Sequence, residues 1–152
     1  MGKIVPLLSA PNLEFDCGDR QLNHWFRTKA FSNEAAGFTR THVMHNAASL
    51  VGFFTLSAAA VDIEAAALGE ASAPDPIPAI LLGRMAVASE FQGMGVGKRL
   101  LLDAFEKANH AAEKVGAAIL LVHPKPQALG YYRSQGFQNL GSQEAMYLRL
   151  GI

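Results

Sequence analysis

Gln92-Gly93-Met94-Gly95-Val96-Gly97 follows the short apolar run LLGRMAV and precedes a long amphipathic pattern. Strand, glycine turn and helix start, in that order, make an anion-binding unit. The first N–H groups of a helix lack carbonyl partners and sit at the positive end of its dipole. Glycines let the backbone approach a phosphate closely and adopt positive φ. The group implied is a pyrophosphate. Two common phosphate turns fail on spacing. A P-loop needs a glycine where Gln92 stands and a Ser or Thr where Arg99 stands. A dinucleotide turn needs G-x-G-x-x-G, whereas the spacing here is G-x-G-x-G. From the turn alone, a plain glycine-rich strand–helix loop stays open.

The spacing that fits is Q-x-x-G-x-G, which resembles the acetyl-CoA turn of GNAT-family N-acetyltransferases. The resemblance implies that Gln92, Gly93, Met94, Gly95, Val96, Gly97 and Lys98 hold the pyrophosphate of acetyl-CoA. A second segment, Ala128-Leu129-Gly130-Tyr131-Tyr132-Arg133-Ser134-Gln135-Gly136-Phe137, resembles the A-x-x-[Phe/Tyr]-Tyr-x-x-x-Gly-Phe signature of the same family. When an amine attacks a thioester, the departing thiolate needs a proton, and a tyrosine hydroxyl can donate it. The resemblance gives that role to Tyr132 and puts Tyr131 in the core. It also implies a splayed strand at Met85, Ala86 and Val87, whose free N–H groups receive the acetyl carbonyl and the pantetheine amides. Two groups near these segments could take the amine's proton. His123 has a side chain suited to a general base near neutral pH, yet it reads at least as well as a helix-entry histidine before Pro124. Glu90 reads as a solvated loop acid. An acceptor amine of low pKa needs no base.

Three further segments resemble the TacT-type toxins, GNAT enzymes of bacterial toxin–antitoxin modules. They are Phe15-Asp16-Cys17-Gly18-Asp19-Arg20-Gln21-Leu22-Asn23-His24-Trp25-Phe26, Thr39-Arg40-Thr41-His42-Val43, and Leu81-Leu82-Gly83-Arg84-Met85-Ala86-Val87. This resemblance implies acetylation of the α-amino group of an aminoacyl-tRNA, which blocks elongation. It further implies a ribbon-helix-helix antitoxin and a homodimer. The α-amine of an amino-acid ester is less basic than a lysine amine, so positioning and a tyrosine acid suffice for it. Phosphate-contact candidates are Arg27, Lys29, Arg40, Arg84, Lys125 and Arg149, with Arg40 and Arg84 foremost because they lie in family-like strands. Two alternatives stand beside this expectation: acetylation of a small-molecule or peptide amine, and a non-catalytic CoA-binding module.

Composition bounds the rest. The 152 residues suit a single domain over 1–152, and 50% hydrophobic content supports a real core. Net charge is zero. Its distribution is uneven: residues 62–90 hold the acids Asp62, Glu64, Glu70, Asp75 and Glu90 against Arg84 alone, and the region after them is basic. Cys17 is the single cysteine, so neither an intramolecular disulfide nor a thiolate zinc cluster can form, and no metal is expected. No segment reads as a signal peptide or membrane span, which makes the cytoplasm the expected compartment.

The elements that must position these residues read as a mixed α/β order, the GNAT layout, with helices flanking a mixed twisted sheet. A short strand is expected over Ile4–Leu8, then an Asp19-capped helix over Leu22–Phe31. Thr39–His45 and Ser49–Ala59 read as a hairpin, Ala60–Pro78 as a loop or short helix, and Ala79–Val87 as an apolar strand. The spacing predicts a helix over Lys98–Val115 with a buried stripe of Leu101, Ala104, Phe105, Ala108, Ala112 and Val115, stopped by Gly116. Ala118–Val122 is a buried strand. Pro126 opens a helix to about Gln135, and Phe137–Leu140 and Ala145–Leu150 close the chain as strands.

Overall fold

In the computed structural model, which describes residues 2–10, 14–62, 68, 73–141 and 144–151, seven strands join one mixed sheet. They are β1 (Ile4–Pro6), β2 (Arg40–Asn46), β3 (Ser49–Val61), β4 (Ile77–Val87), β5 (Ile119–Val122), β6 (Gln138–Asn139) and β7 (Met146–Arg149). Their order across the sheet is β1-β2-β3-β4-β5-β7-β6. The described elements further include helices α1 (Arg20–Thr28), α2 (Ala30–Ala36), α3 (Val96–Val115) and α4 (Leu129–Ser134) and the 3₁₀ turns Ser89–Phe91 and Pro126–Ala128. The α/β architecture expected from the sequence is the one observed. The segment read as loop or short helix is shorter than expected, because β3 runs on to Val61 and β4 begins at Ile77. Glu64, Glu70 and the rest of residues 63–67 and 69–72 in that segment lie outside the described residues.

The chain divides into two compact units, residues 1–57 with 83–105 and residues 58–82 with 106–152. In the first, β1 pairs antiparallel with β2, and β2 with β3 from Arg40↔Leu56 to Asn46↔Ser49. The core of this unit is aromatic. Phe26 and Phe53 are fully buried with ring centroids 4.3 Å apart, and Phe15 closes on both at 5.1 and 5.6 Å. Asp19 caps α1, accepting from Gln21 N and Leu22 N. The single helix expected over Leu22–Phe31 is two. The hydroxyl of Thr28 donates to the carbonyl of His24 at 2.6 Å, four residues back, and such back-bonding weakens and often bends a helix. Lys29 takes the break between α1 and α2.

In the second unit β5 is buried at all four residues. It runs parallel to β4, from Ala79↔Ile119 to Leu82↔Val122, and antiparallel to β7. Burial on both faces accounts for the unbroken apolar run ILLV. Ile77, Ile119, Leu121, Leu140 and Tyr147 form its core. The helix expected from Pro126 opens as a 3₁₀ turn over Pro126–Ala128 before α4, and Gly136 at φ 99° reverses the chain.

Helix α3 starts at Val96, two residues before the expected Lys98. Its fully or nearly buried side chains are Val96, Leu100, Leu101, Ala104 and Ala108. Val115 was expected on that stripe but is 80% exposed. It lies in the last turn, where coverage has already thinned at the half-buried Ala112, and Gly116 at φ 73° ends the helix.

Candidate active site

The glycine turn has the backbone that a phosphate cradle needs. Gly93 and Gly95 have φ of 80° and 81°, and a Cβ on either would meet nothing within 4 Å. The open space faces a helix end. Arg99 N makes the first helical bond, to Gly95 O at 3.2 Å. The N–H groups of Val96, Gly97 and Lys98 precede that bond and have no intrahelical acceptor. Val96 is buried by its side chain and can offer only its backbone, whereas Met94 and Lys98 are exposed. These groups fit a pyrophosphate.

Gln92 is placed differently from the sequence expectation. Its Nε2 donates to Cys17 O at 2.9 Å and to Val87 O at 3.0 Å. Both amide hydrogens are therefore spent within the chain, and Gln92 is a clasp that fixes the turn rather than a free phosphate donor. The clasp reaches a knot that sequence reasoning missed. The buried side chain of Asn23 accepts from Cys17 N and donates to Asp16 Oδ1, both at 2.9 Å. Asp16 O accepts from Ser89 N, and Arg27 donates to Phe15 O. The Phe15-Asp16-Cys17-Gly18 loop is thus tied to the segment that delivers the turn. The one available signal was Asn23 amid apolar helical positions, where a polar side chain needs buried partners. Gly18 N–H and the Asn23 amide, with Arg27 adding its charge, hold the Asp16 carboxyl below the usual carboxylate range.

β4 has a free edge. Its pairing with β5 stops at Leu82↔Val122, yet the strand continues to Val87. Arg84 N donates to Thr55 Oγ1 and Ala88 N to Val51 O, so even-numbered amides point toward β3. Backbone groups alternate along a strand. The N–H groups of Met85 and Val87 therefore point to the other edge, the one β5 has left. Val87 O on that edge is taken by Gln92, and among the described residues the two N–H groups have no acceptor, which leaves them to a linear amide chain or to a developing oxyanion. Ala86 N–H lies on the β3 side and is not on this edge.

In the second unit Tyr132 lies within α4, 8% exposed, edge-on to Tyr131 at 5.4 Å and to Phe137 at 5.3 Å. Burial, reinforced by Tyr131, pushes its hydroxyl up to about 12. The group is a neutral proton donor throughout the physiological range. Tyr131 is raised by burial alone, and among the described residues its hydroxyl has no hydrogen-bond partner. His123 is exposed immediately after β5, and Glu90 is exposed in the 3₁₀ turn Ser89–Phe91. Glu90 joins Glu14, Asp16, Ser49 and Ser89 around a cavity of about 310 Å³. Its carboxylates suit a cation and repel a phosphate, which leaves the glycine turn as the anion site.

The cationic candidates separate by their partners. Arg40 forms an ion pair with Glu34 and also donates to Glu34 O. Arg27 donates to Phe15 O, and Arg149 to Ala118 O. Arg84 instead lies half-buried over the indole of Trp25, 4.2 Å from the ring centroid. Trp25 is a second residue that the sequence reading did not single out.

The chain matches the acetyltransferase (GNAT) domain over residues 38–139. It is 36% identical over 110 residues to a tRNA-acetylating toxin of Mycobacterium tuberculosis (strain ATCC 25618 / H37Rv), a match covering 72% of this chain and 66% of that protein. The chain thus spans slightly less than two thirds of the length of this curated relative. Among solved structures it is similar to AtaT complexed with acetyl-methionyl-tRNAfMet, with a TM-score of 0.86, 27% identity and coverage of 97% and 94% of the two chains. It is also similar to a tyrosine-to-phenylalanine variant of the AtaT toxin bound to the C-terminus of the antitoxin AtaR, with a TM-score of 0.83, 25% identity and coverage of 97% and 90%. A two-glycine turn at a helix start, a free strand edge leading into it and a family match over most of the chain converge: the chain belongs to the acetyltransferase (GNAT) family.

Proposed function

We propose that the chain, read as one acetyltransferase domain over residues 1–152, is a toxin that moves an acetyl group from acetyl-CoA to the α-amino group of an aminoacyl-tRNA. The observation that carries the acetyl-transfer part is the unpaired β4 edge at Met85 and Val87, followed through the 3₁₀ turn Ser89–Phe91 by the Gly93–Gly95 turn. Acetyl-CoA, when bound, supplies the activated thioester. Val96, Gly97 and Lys98 offer backbone N–H groups to its pyrophosphate, and Gly93 and Gly95 keep the approach open. Met85 and Val87 N–H hold the pantetheine arm and the reacting carbonyl oxygen. Tyr132 keeps its proton until the thiolate leaves and then donates it. No dedicated base is assigned: among the described residues His123 has no partner that would orient it, and an amino-acid ester amine is partly neutral at pH 7.

The tRNA part rests on likeness to the M. tuberculosis tRNA-acetylating toxin and to AtaT. The likeness to AtaT bound to AtaR supports an antitoxin partner. That this antitoxin is of the ribbon-helix-helix kind, and that the chain forms a homodimer, is proposed from the resemblance of the Phe15–Phe26, Thr39–Val43 and Leu81–Val87 segments to the TacT-type toxins. An enzyme acting on tRNA works in the cytoplasm, and among the described residues no helix is long and apolar enough to cross a membrane. The test is mass spectrometry of total aminoacyl-tRNA after incubation with the protein and acetyl-CoA. An N-acetylated amino acid on tRNA, absent with Tyr132→Phe, is the expected result. The carboxylate-lined cavity favours a second reading, a cationic small-molecule or peptide acceptor. Acetyl-CoA turnover on such amines, with tRNA untouched, would establish that reading instead.

A further inference from the structure

We infer that Arg84 and Trp25 form a platform for a phosphate group of the acceptor RNA near its 3′ end, an assignment that rests on the aminoacyl-tRNA reading above. The guanidinium lies 4.2 Å over the indole. Beneath, the indole stacks on Phe53 at 6.3 Å and 20°, and fully buried Phe53 stacks on Phe26 at 4.3 Å. The backbone is fixed by the bond from Arg84 N to Thr55 Oγ1. The cation is therefore held in one orientation before any ligand arrives.

What it lacks is an anion. Among the described residues no carboxylate lies within ion-pair reach of Arg84, whereas Arg27, Arg40 and Arg149 each donate to an oxygen of the chain. Burial already holds the Arg84 guanidinium below its ordinary value. A half-buried cation with unused donors is costly unless a ligand supplies oxygen acceptors. A planar guanidinium matches phosphate oxygens two at a time.

Two phosphate sources are available, the cofactor and the RNA. Face decides between them. Ala86, on the same side of β4 as Arg84, packs in the cluster of Phe15, Phe26 and Phe53 with α1. Gly52 is the chain neighbour of Phe53 on β3 and faces the other way, against Leu100 of α3. The pyrophosphate turn opens α3, so Arg84 projects from the opposite face of the sheet. The phosphate on Arg84 belongs to the acceptor.

Trp25 is the single tryptophan, so its emission reports on this platform alone. The experiment titrates the full chain with a deacylated RNA minihelix bearing a single-stranded 3′ end, and separately with acetyl-CoA and inorganic phosphate. It follows Trp25 emission and the anisotropy of labelled RNA over a range of salt. RNA is expected to shift Trp25 emission. Arg84→Ala, checked for folding by circular dichroism, is expected to weaken RNA binding about 10-fold and to lower its salt slope by about one. Acetyl-CoA affinity stays within about 2-fold under the same change, as expected of a group outside the cofactor turn. Arg84→Lys keeps the charge and the slope but gives intermediate affinity, and it serves if the alanine variant does not fold. Unchanged RNA affinity and slope in a folded Arg84 variant overturns the platform, and so does absence of RNA binding by the wild type. Loss of acetyl-CoA affinity in place of RNA affinity assigns the phosphate to the cofactor and also overturns it. Acetylation of aminoacyl-tRNA, assayed in parallel, separates the two ideas. If it survives Arg84→Ala undiminished, the platform fails and the function stands. If the wild type binds RNA through Arg84 yet acetylates no tRNA, the function fails and the platform stands.

Discussion

Tyr132 illustrates how one residue's surroundings set its chemistry. Burial against Tyr131 and Phe137 raises its hydroxyl to about 12, so at neutral pH it is always protonated and can only give a proton. Loss of that hydroxyl in Tyr132→Phe should lower turnover by roughly 10²–10⁴-fold while acetyl-CoA binding, read by calorimetry, is retained. The same shift has a stability sign. A group whose folded pKa lies above its unfolded value stabilises the fold below the unfolded value, and that contribution disappears as pH rises through the folded one. Thermal stability should therefore fall between about pH 10 and 12, and fall less in Tyr132→Phe. Asp16 has the opposite sign. Its depressed carboxyl stabilises the fold above the ordinary carboxylate range, and that contribution is lost as the pH falls through its folded value. Asp16→Asn should flatten the acid limb of a melting-temperature profile. Its partner Asn23 is 7% exposed and satisfies Cys17 N, so Asn23→Ala leaves a buried amide unpaired. Denaturant unfolding should record a loss of about 1–3 kcal/mol.

At the scale of elements, the decisive feature is the contact of β3 with β4 and α3 at Gly52. A Cβ there would lie 2.8 Å from Ala86 O and 2.9 Å from Leu100 Cδ1. The leucine tip can move, but the carbonyl belongs to the strand whose other edge carries Met85 and Val87. Gly52→Ala should destabilise by about 1–3 kcal/mol. It should also raise KM for acetyl-CoA, because β4 must shift where the edge donors are placed. Wild-type KM in the folded alanine variant would show that β4 does not set the cofactor's position. The Gln92 clasp belongs to this scale too. It joins the Phe15–Gly18 loop, the end of β4 and the turn through two hydrogen bonds, so the start of α3 is held by a segment some seventy residues away in the chain.

At the scale of the whole molecule, expression in a bacterial host should arrest growth, with Tyr132→Phe relieving the arrest. A normal growth curve from soluble wild-type protein would instead favour the small-amine acceptor. Much of the design is written in the sequence, because its causes are local. Apolar period, Asp19 as a cap, and glycines at turns needing positive φ specify strands, helix starts and the anion-binding turn within a few residues. The tyrosine signature and the glycine turn could be found the same way, since each lies within a single short segment. Long-range partners are not local, and only the tertiary structure decided them. Nothing near Gln92 foretells that its amide is spent on Cys17 and Val87, or that Arg40 is taken by Glu34 while Arg84 lies on Trp25. Likewise the pattern put Val115 on the buried stripe, but burial needs a neighbour to cover it, and among the described residues Val115 stays 80% exposed. Spacing along the chain settles what a residue can do; which donors and charges remain free to do it depends on packing between distant segments.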